Sequence, residues 1–568
     1  MIAPFGVRDW HAAVFSEVST MNLNWIMRPV AGLSVLGLLV GTLFLAASLA
    51  PSLLPRPFAV QGLLSGVSFA IGYGVGVGAL ALWNLFDLPI PGARLARQLA
   101  IVASVLCAVV AIAFLWQASA WQNSIREMMG MEESAGLRPS IIGPIALLVF
   151  IALLLLARLL RRLFRLFSSR LKNYVPPRVS YLVSSILVLI VFWSAVDGVL
   201  FTRLLAVADQ SFQQLDALIE PELPVPLRAQ QTGSAESLVA WSTLGRQGRR
   251  FVAGGPDSEA LKAFFGQDLP APVRVYVGLN SEETPAARAR LALDELKRAG
   301  GFQRSVLVLA TPTGTGWIDA VGQDAVEYLA RGDIATVAVQ YSYLNSPLSL
   351  LTQAQYGAET ARAVFVEIYN HWRALPKDQR PRLYLTGLSL GSLNSDLSFD
   401  LFDIMDDPFA GALWVGPPFR NQSWRRMTLD REAGSPAWLP RFRDGTVVRF
   451  MNQNQRLEEG YGPWSDFRIV FLQYASDPIT FFTPSSAWQE PDWMLSPRGP
   501  DVSKDLRWFP IVTMLQLAAD MGVGASPRGF GHEYAAKDYI AAWRGLLRPE
   551  GWSEADVERL QVLLDKVE

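Results

Sequence analysis

Residues 382–391 read R-L-Y-L-T-G-L-S-L-G, and this stretch decides the fold of the C-terminal part of the chain. Its first half is an apolar segment that predicts a buried strand, and the residues after it can form a helix. Ser389 is therefore expected on a strand-to-helix turn, between Gly387 and Gly391. Such a turn needs small flanking residues because it is tight and strained, and it lifts the serine hydroxyl above the sheet. Because the chain has 44 glycines, a G-x-S-x-G pattern can arise by chance, and it is the strand before it and the helix after it that make this one informative.

The chain around this turn alternates between short apolar runs and helical segments. Helix patterns cover residues 287–301 and 358–376, and each ends in Gly or Pro. Six runs rich in β-branched and aromatic residues predict strands at 273–279, 305–310, 336–341, 382–387, 412–416 and 468–474. This alternation predicts a mainly parallel sheet with helices on both faces.

A serine hydroxyl is a poor nucleophile without a base, and the base is most often histidine. The chain has three histidines. His11 precedes the first apolar run, and His371 lies near the end of a helix before the nucleophile, where a solvated or capping role is usual. His532, in the Gly-rich loop P-R-G-F-G-H-E-Y, is the candidate base.

The third member of such a site is a carboxylate that orients the imidazole and stabilises its charged form. Asp477 follows the apolar run R-I-V-F-L-Q-Y, and Pro478 prevents that strand from continuing. The carboxylate is therefore expected at the same edge of the sheet as Ser389. Ser389, Asp477 and His532 follow the chain order of α/β-hydrolases, which favours a catalytic triad over three unrelated residues in an ordinary α/β domain.

Two backbone N–H groups are expected to stabilise the oxyanion of such a reaction. One is that of Leu390, immediately after the nucleophile. The other is expected in the loop after the strand V-L-V-L-A, from one of Thr313, Gly314, Thr315 or Gly316. Phosphate binding by this loop is less favoured because it lacks the lysine of a P-loop. The site requires neither a cofactor nor a metal, and the single cysteine, Cys107, excludes an intramolecular disulfide and a Cys-ligated zinc site.

The first third of the chain contains five uncharged runs of about 18 to 30 residues, each long enough to cross a bilayer. They cover residues 29–55, 57–86, 98–125, 139–157 and 179–196. They predict an all-α transmembrane domain of about five helices, with four or six as alternatives. The predicted division is an N-terminal arm with an interfacial helix as one interpretation (1–28), a membrane domain (29–205), a connector (206–270) and an α/β-hydrolase domain (271–568).

The basic residues of the short loops predict the orientation of this domain, because Lys and Arg resist translocation. The gap between the fourth and fifth runs holds seven basic residues and no acid. With that loop in the cytoplasm, Arg94 and Arg97 also fall inside, whereas Arg56, Arg126 and Arg138 fall outside. Five spans then place the C-terminal domain outside the cytoplasm, on the periplasmic or extracellular side of the inner membrane, and an error of one span inverts this.

Two details of the membrane region have ordinary explanations. Gly74 and Gly78 are four residues apart, which predicts close packing of helices in preference to a pore. Asp197 lies in the last predicted span, directly after the uncharged run and near the predicted outer interface, where it is expected to be hydrated, with a functional role as the less favoured alternative.

The chain resembles the membrane-anchored bacterial alpha/beta-hydrolase family 9 over about residues 48–545. The motifs that carry the resemblance are S-L-A-P-S-L-L-P-R (48–56), Q-G-L-L-S-G (61–66), L-G-R-Q-G-R-R-F-V (244–252), R-V-Y-V-G-L (274–279), T-G-T-G-W-I-D (313–319), V-Q-Y-S-Y-L (339–344), the serine turn and G-F-G-H-E-Y (529–534). The resemblance implies an N-terminal multi-span domain and a C-terminal serine-hydrolase domain. The chain departs from the family at Leu388, where a polar or acidic residue is common.

The resulting hypothesis is a membrane-bound serine esterase or lipase that acts on a lipid or another acylated substrate. Residues 481–510, between acid and base, hold Trp488, Trp493 and Trp508 and form either a lid that contacts lipid or a part of the domain's core. An acyltransferase with the same triad and an inactive regulator of the membrane helices are the alternatives. The formal net charge of −1 gives no support to nucleic-acid binding.

Overall fold

The structure, a computed structural model, describes residues 33–89, 92–133, 139–196, 211–344, 349, 354–454, 457, 461–523 and 526–566. The predicted arm (1–28), with its interfacial helix and His11, lies outside the described residues, and so does Asp197.

The described residues form two compact units. The first comprises residues 33–50, 57–121 and 139–196, and the second comprises 51–56, 122–133 and the described chain from 211 onward. The segment 51–56 between two apolar helices, and residues 122–133, which are the end of a third apolar helix and the residues after it, therefore belong to the second unit. Continuous boundaries drawn along the sequence do not reveal this.

Long apolar helices build the first unit. They are α1 (Val35–Leu49), α2 (Phe58–Leu85), α3 (Ala93–Met128), α4 (Pro139–Leu171) and α5 (Pro177–Trp193). Among the described residues, four helices are long and apolar enough to cross a membrane, at 58–85, 94–128, 140–171 and 177–196. Helix α1 has 15 residues, about 22 Å at 1.5 Å per residue, which is short of the ~30 Å of hydrocarbon. Within the described residues, the number of helices that meet the length of a span is therefore four, one of the alternatives that the sequence left open, and the end of the first run is an irregular segment.

Glycines of α2 allow close packing, but they are not the predicted pair. A Cβ on Gly74 or Gly78 would meet no described atom within 4 Å. At Gly66 and Gly72, in contrast, a Cβ would lie 2.6 Å from Val149 and 2.7 Å from Phe44. These glycines therefore bring α2 against α4 and α1, and the packing face of the helix is rotated from the one that the sequence suggested.

The second unit is an α/β domain built on a seven-stranded sheet in the order β1-β3-β2-β4-β5-β7-β6. All neighbouring strands are parallel. The strands are β1 (Val273–Val277), β2 (Val306–Thr311), β3 (Ile334–Val339), β4 (Arg382–Leu388), β5 (Gly411–Val415), β6 (Val448–Met451) and β7 (Arg468–Leu472). The helices are α6 (Gly245–Ala253), α7 (Ser258–Phe265), α8 (Pro285–Arg298), α9 (Ala320–Leu329), α10 (Ala354–Ala374), α11 (Leu390–Asp396), α12 (Leu401–Ile404), α13 (Gln422–Leu429), α14 (Pro478–Phe481), α15 (Val512–Val523), α16 (Ala536–Leu547) and α17 (Glu554–Leu564).

The sheet is covered on both faces. Every residue of β1, β3, β5, β6 and β7 is buried, and successive side chains of a strand point to opposite faces. The predicted fold class is therefore confirmed, and the six predicted strands are found within two residues of their expected bounds. The seventh, β6, was not predicted.

A buried charge cluster fixes α9, the helix that follows the loop T-P-T-G-T-G-W (311–317), here called the Gly-Thr loop. Arg274 of β1 donates from Nε to Glu327 at 2.7 Å and from Nη2 to Asp324 at 2.6 Å. Both carboxylates belong to α9, and all three residues are buried. Because each charge has a partner inside the domain, α9 is tied to β1 at one defined register.

Candidate active site

Ser389 lies on the turn between β4 and α11 in a strained backbone conformation. Its φ is 56° and its ψ is −124°, a region that costs a non-glycine residue about 1–3 kcal/mol. The turn is held by the Ser389 N–H, which donates to the Val415 carbonyl of β5 at 2.9 Å. The serine is therefore fixed at the carboxyl ends of two neighbouring strands.

The two glycines of the turn are required by close backbone contacts. A Cβ on Gly387 would lie 2.3 Å from the carbonyl carbon of Gly391. A Cβ on Gly391 would lie 2.2 Å from the Thr311 carbonyl oxygen at the end of β2. No side chain fits at either position, and the contact with Thr311 brings α11 against the start of the Gly-Thr loop.

Asp477 and His532 are in direct contact. The His532 Nδ1 lies 2.7 Å from the Asp477 Oδ2, and the carboxylate is fully buried. Asp477 also caps α14 by accepting from the Ile479 N–H at 2.8 Å, and Oδ2 accepts from the Tyr534 hydroxyl at 2.8 Å and the Thr480 hydroxyl at 3.1 Å. These donors satisfy a buried negative charge and fix its direction.

The contact of the His532 Nδ1 with Asp477 leaves the other imidazole nitrogen, Nε2, able to accept a proton. An ionised carboxylate only accepts hydrogen bonds, so the Nδ1 of His532 carries the proton and Nε2 is the basic nitrogen. Nε2 is buried and has no hydrogen-bond partner among the described residues. The imidazole lies on Gly416, where a Cβ would be 2.5 Å from the His532 Cε1. Gly416 directly follows Val415, the residue that binds the Ser389 N–H, so the base and the serine turn lie at one strand end.

Comparison with protein families agrees with this arrangement. Residues 273–560 match the model described as "Alpha/beta-hydrolase family", and residues 49–256 match the model of that family's N-terminus. The chain belongs to alpha/beta-hydrolase family 9. Membership supports a hydrolase-type function. Searches of curated proteins and of solved structures gave no match.

In this member of family 9, the Gly-Thr loop lies beside the serine turn and is held by bonds of its own. The Thr313 N–H donates to the Trp317 carbonyl at 2.9 Å, and the Gly316 N–H donates to the Thr313 carbonyl at 3.0 Å. The Tyr276 hydroxyl binds the Gly316 carbonyl at 2.7 Å. Of the four predicted donors in the loop, the N–H groups of Thr313 and Gly316 therefore already form hydrogen bonds within the loop. The N–H groups of Gly314 and Thr315, together with that of Leu390, remain the candidates for binding an oxyanion.

The three tryptophans between acid and base separate into two kinds. The Trp493 indole is buried and donates to the Phe481 carbonyl at 3.0 Å, and the Trp508 indole donates to the Ser486 carbonyl at 2.7 Å. Trp488 is 70% exposed. Two of the rings therefore anchor the segment in the domain, and Trp488 is the one of the three that is largely exposed.

Sequence reasoning missed several residues that hold the triad candidates. Tyr534 and Thr480 bind the same carboxylate oxygen as His532. Gly416 seats the imidazole. Tyr534 had a local signal, since it lies two residues after His532 in the same Gly-rich stretch, G-F-G-H-E-Y. Gly416 had none, because its partner lies more than a hundred residues away.

Neither of the other sites that the sequence raised competes with this one. His371 packs edge-on against Phe302, with ring centroids 4.6 Å apart, and burial lowers its pKa. Cys107 is a free cysteine on α3. In the described part of the chain, no three His, Cys, Asp or Glu side chains are grouped as metal ligands.

Burial lowers the pKa of His532, but the Asp477 charge and hydrogen bond more than offset it, so the pKa lies above its usual value of 6.5. A protonated imidazole cannot accept the serine proton. Any reaction that uses His532 as a base is therefore expected to slow as the pH falls through this raised pKa.

Replacing Gly416 by alanine tests the seat of the imidazole. Its φ is +51°, and the new Cβ would overlap the ring, so we expect a fluorophosphonate to label the protein about 10- to 100-fold more slowly. Gly434→Ala is the matched control, because Gly434 has a φ of +89° and no neighbour within 4 Å. Labelling rate constants and melting temperatures of the two variants are compared, and an equal effect on labelling would contradict the proposed seat.

Proposed function

We propose that this protein is a membrane-bound serine hydrolase that cleaves the ester of a lipid or another acylated substrate at the outer face of the inner membrane. The observation that carries the proposal is the orientation of His532. Asp477 fixes its Nδ1, and its buried Nε2 has no partner among the described residues. The ring lies on Gly416, directly after Val415, whose carbonyl accepts from the N–H of the strained Ser389.

The chemistry follows from these positions. The Ser389 Oγ attacks the ester carbonyl while the His532 Nε2 takes its proton, and Asp477 stabilises the imidazolium. The Leu390 N–H and one N–H from Gly314 or Thr315 receive the oxyanion. The tetrahedral intermediate releases the alcohol, which takes the proton from Nε2. Water, activated by the same nitrogen, then attacks the acyl-enzyme and releases the acid.

Connectivity supports an outer location for the catalytic unit. If α2, α3, α4 and α5 each cross the membrane, segments 51–56 and 122–133 lie on the same side as the chain after residue 211. These two segments belong to the catalytic unit. Arg94, Arg97 and the seven basic residues of 158–178 then lie on the opposite side, where the positive-inside rule places the cytoplasm. This side does not depend on whether α1 crosses.

A lipidic substrate is supported by tethering and by exposed apolar side chains. Trp488 is 70% exposed, and Phe402, soon after the serine-bearing helix α11, is 85% exposed. Aromatic side chains of this kind favour the membrane–water interface. We therefore propose that membrane lipids surround the site and also supply the acyl ester that it cleaves.

Covalent labelling tests the proposal directly. Full-length protein in detergent micelles is treated with a fluorophosphonate, digested and mapped by mass spectrometry. We expect one adduct on Ser389, because only an activated serine reacts rapidly with this probe. Heat-denatured protein is the control for chemical labelling. An adduct only on other residues, or none, would favour the inactive regulator.

A second assay separates hydrolysis from acyl transfer. A p-nitrophenyl ester is supplied with and without a lipid alcohol, and the products are separated by chromatography. Free acid in both samples supports a hydrolase, whereas a new ester formed at the expense of acid identifies an acyltransferase. Lipid extracts of deletion and wild-type cells then show which acyl ester accumulates.

A further inference from the structure

Residues 51–56, P-S-L-L-P-R, are the most unusual part of the second unit. They connect α1 to α2 in the chain, yet all six are buried among residues of the catalytic unit. Leu53 and Leu54 are 0% and 1% exposed and belong to the same hydrophobic core as the sheet. We call these six residues the strap.

The strap is held by one carboxylate of α15. Asp520 Oδ1 lies 2.9 Å from the Arg56 Nε, and Oδ2 accepts from the Leu53 N–H at 3.1 Å. The Arg56 N–H donates to the Gln122 side chain at 2.8 Å, which ties the strap to the end of α3 that belongs to the second unit. Both charges are buried, so this ion pair is sensitive to the loss of either partner.

The strap also contacts the loop that carries the catalytic base. A Cβ on Gly531 would lie 3.0 Å from the Leu54 Cδ2, and Gly531 is the residue before His532. The Gly531 N–H donates to the Ser476 hydroxyl at 2.8 Å, and Ser476 precedes Asp477. Gly531 is thus fixed between the acid loop and the strap.

We propose that the strap positions His532, with Leu54 and Arg56 as its positioning residues, so that the site is competent only when this segment of the N-terminal region is docked. Leu54 limits where Gly531 can move, and Arg56 holds Leu54 in place through Asp520. Neither residue takes part in bond making. The inference rests on the proposed function, since it concerns the base of that reaction.

The test uses full-length protein in detergent and the second-order rate constant for fluorophosphonate labelling of Ser389 as a function of pH. Leu54→Ala is expected to slow labelling about tenfold and to move the midpoint of the pH profile. Leu560→Ala is the control, because Leu560 is equally buried on α17. We expect it to lower the melting temperature to a similar extent and to leave the rate within twofold of wild type. The rate constant describes only the folded molecules, because unfolded protein lowers the final extent of labelling and leaves the rate constant unchanged.

A second set of variants addresses the ion pair. Arg56→Met alone is expected to slow labelling more than tenfold, and Arg56→Met combined with Asp520→Leu is expected to recover at least part of that rate, because no buried charge is left unpaired. If Leu54→Ala gives too little folded protein, Leu54→Val is measured against the same control, with an expected slowing of about threefold.

The outcomes are distinct. If Leu54→Ala, or Leu54→Val in its place, keeps the rate and pH midpoint of Leu560→Ala, the positioning role is wrong, while labelling of the wild type at Ser389 still supports the proposed function. If the wild type gives no adduct on Ser389, the proposed function fails, and the strap inference fails with it.

Discussion

Replacement of Ser389 or His532 by alanine is expected to lower ester hydrolysis by the full-length protein by at least about 10⁴-fold, the largest effect predicted for this chain. Ser389 supplies the attacking oxygen, and His532 Nε2 takes its proton, so each variant removes a step that the other residue cannot replace. The measurement is the initial rate on a p-nitrophenyl ester in detergent micelles. Both residues lie at the edge of the sheet formed by the carboxyl ends of its strands. Each substitution leaves the hydrogen bonds by which Asp477 caps α14 intact.

The double variant provides the stronger criterion. Residues that act as one catalytic unit have strongly non-additive effects, so Ser389→Ala with His532→Ala should be no slower than the slower single variant. His371→Ala is the matched control, because His371 packs against Phe302 and is expected to leave the rate unchanged. Additive losses in the double variant would show that the serine and the histidine act independently, which contradicts the triad.

Asp477→Asn is expected to lower the plateau rate by up to about 10⁴-fold and to move the pH midpoint downward. The Asp477 charge raises the pKa of His532 above 6.5 against the opposing effect of burial, so loss of the charge leaves burial to lower the pKa. The asparagine amide can also donate to Nδ1, which would place the imidazole proton on Nε2 and disable the base. The measurement is the labelling rate of Ser389 between pH 5 and pH 9.

A second carboxyl group makes the control for this profile necessary. Burial raises the pKa of Asp396, at the end of α11, to about 6, so this group also titrates between pH 5 and pH 9. Asp396→Asn should keep the midpoint of the wild type, because the group does not bind the imidazole. If Asp396→Asn moves the midpoint and Asp477→Asn does not, the profile reports the wrong group and the assigned base is contradicted.

The sequence predicts those parts of the fold whose signals are local. Buried parallel strands favour apolar runs, and six of the seven strands have runs that are long enough to recognise, even where a charged residue such as Arg274 of β1 lies within one. The strand β6 was missed because Arg449 interrupts its short run, and the interruption is tolerated because the guanidinium donates to the Gly445 and Leu457 carbonyls. Chain order alone pairs Asp477 with His532, and the two side chains lie 2.7 Å apart.

The parts that the sequence did not predict depend on distant partners. Nothing near Gly416 indicates that an imidazole covers it, and nothing near Leu53 indicates a carboxylate on α15. The apolar character of residues 51–54 predicts the end of a membrane helix. Hydropathy does not show whether an apolar residue is surrounded by lipid or by the protein's own core. For the same reason, the sequence alone does not separate residues 51–55 from the rest of the first apolar run.

The bond from the Leu53 N–H to Asp520 joins residues 467 positions apart, which has a consequence for biosynthesis. At roughly 5–20 residues per second, the ribosome makes Asp520 about 20–90 s after Leu53. During that interval Arg56 lacks its counter-ion, and the catalytic unit cannot close around its own first segment. Maturation of this protein is therefore expected to be post-translational and late, with a long-lived precursor that is open to proteases until the C-terminal helices have been released.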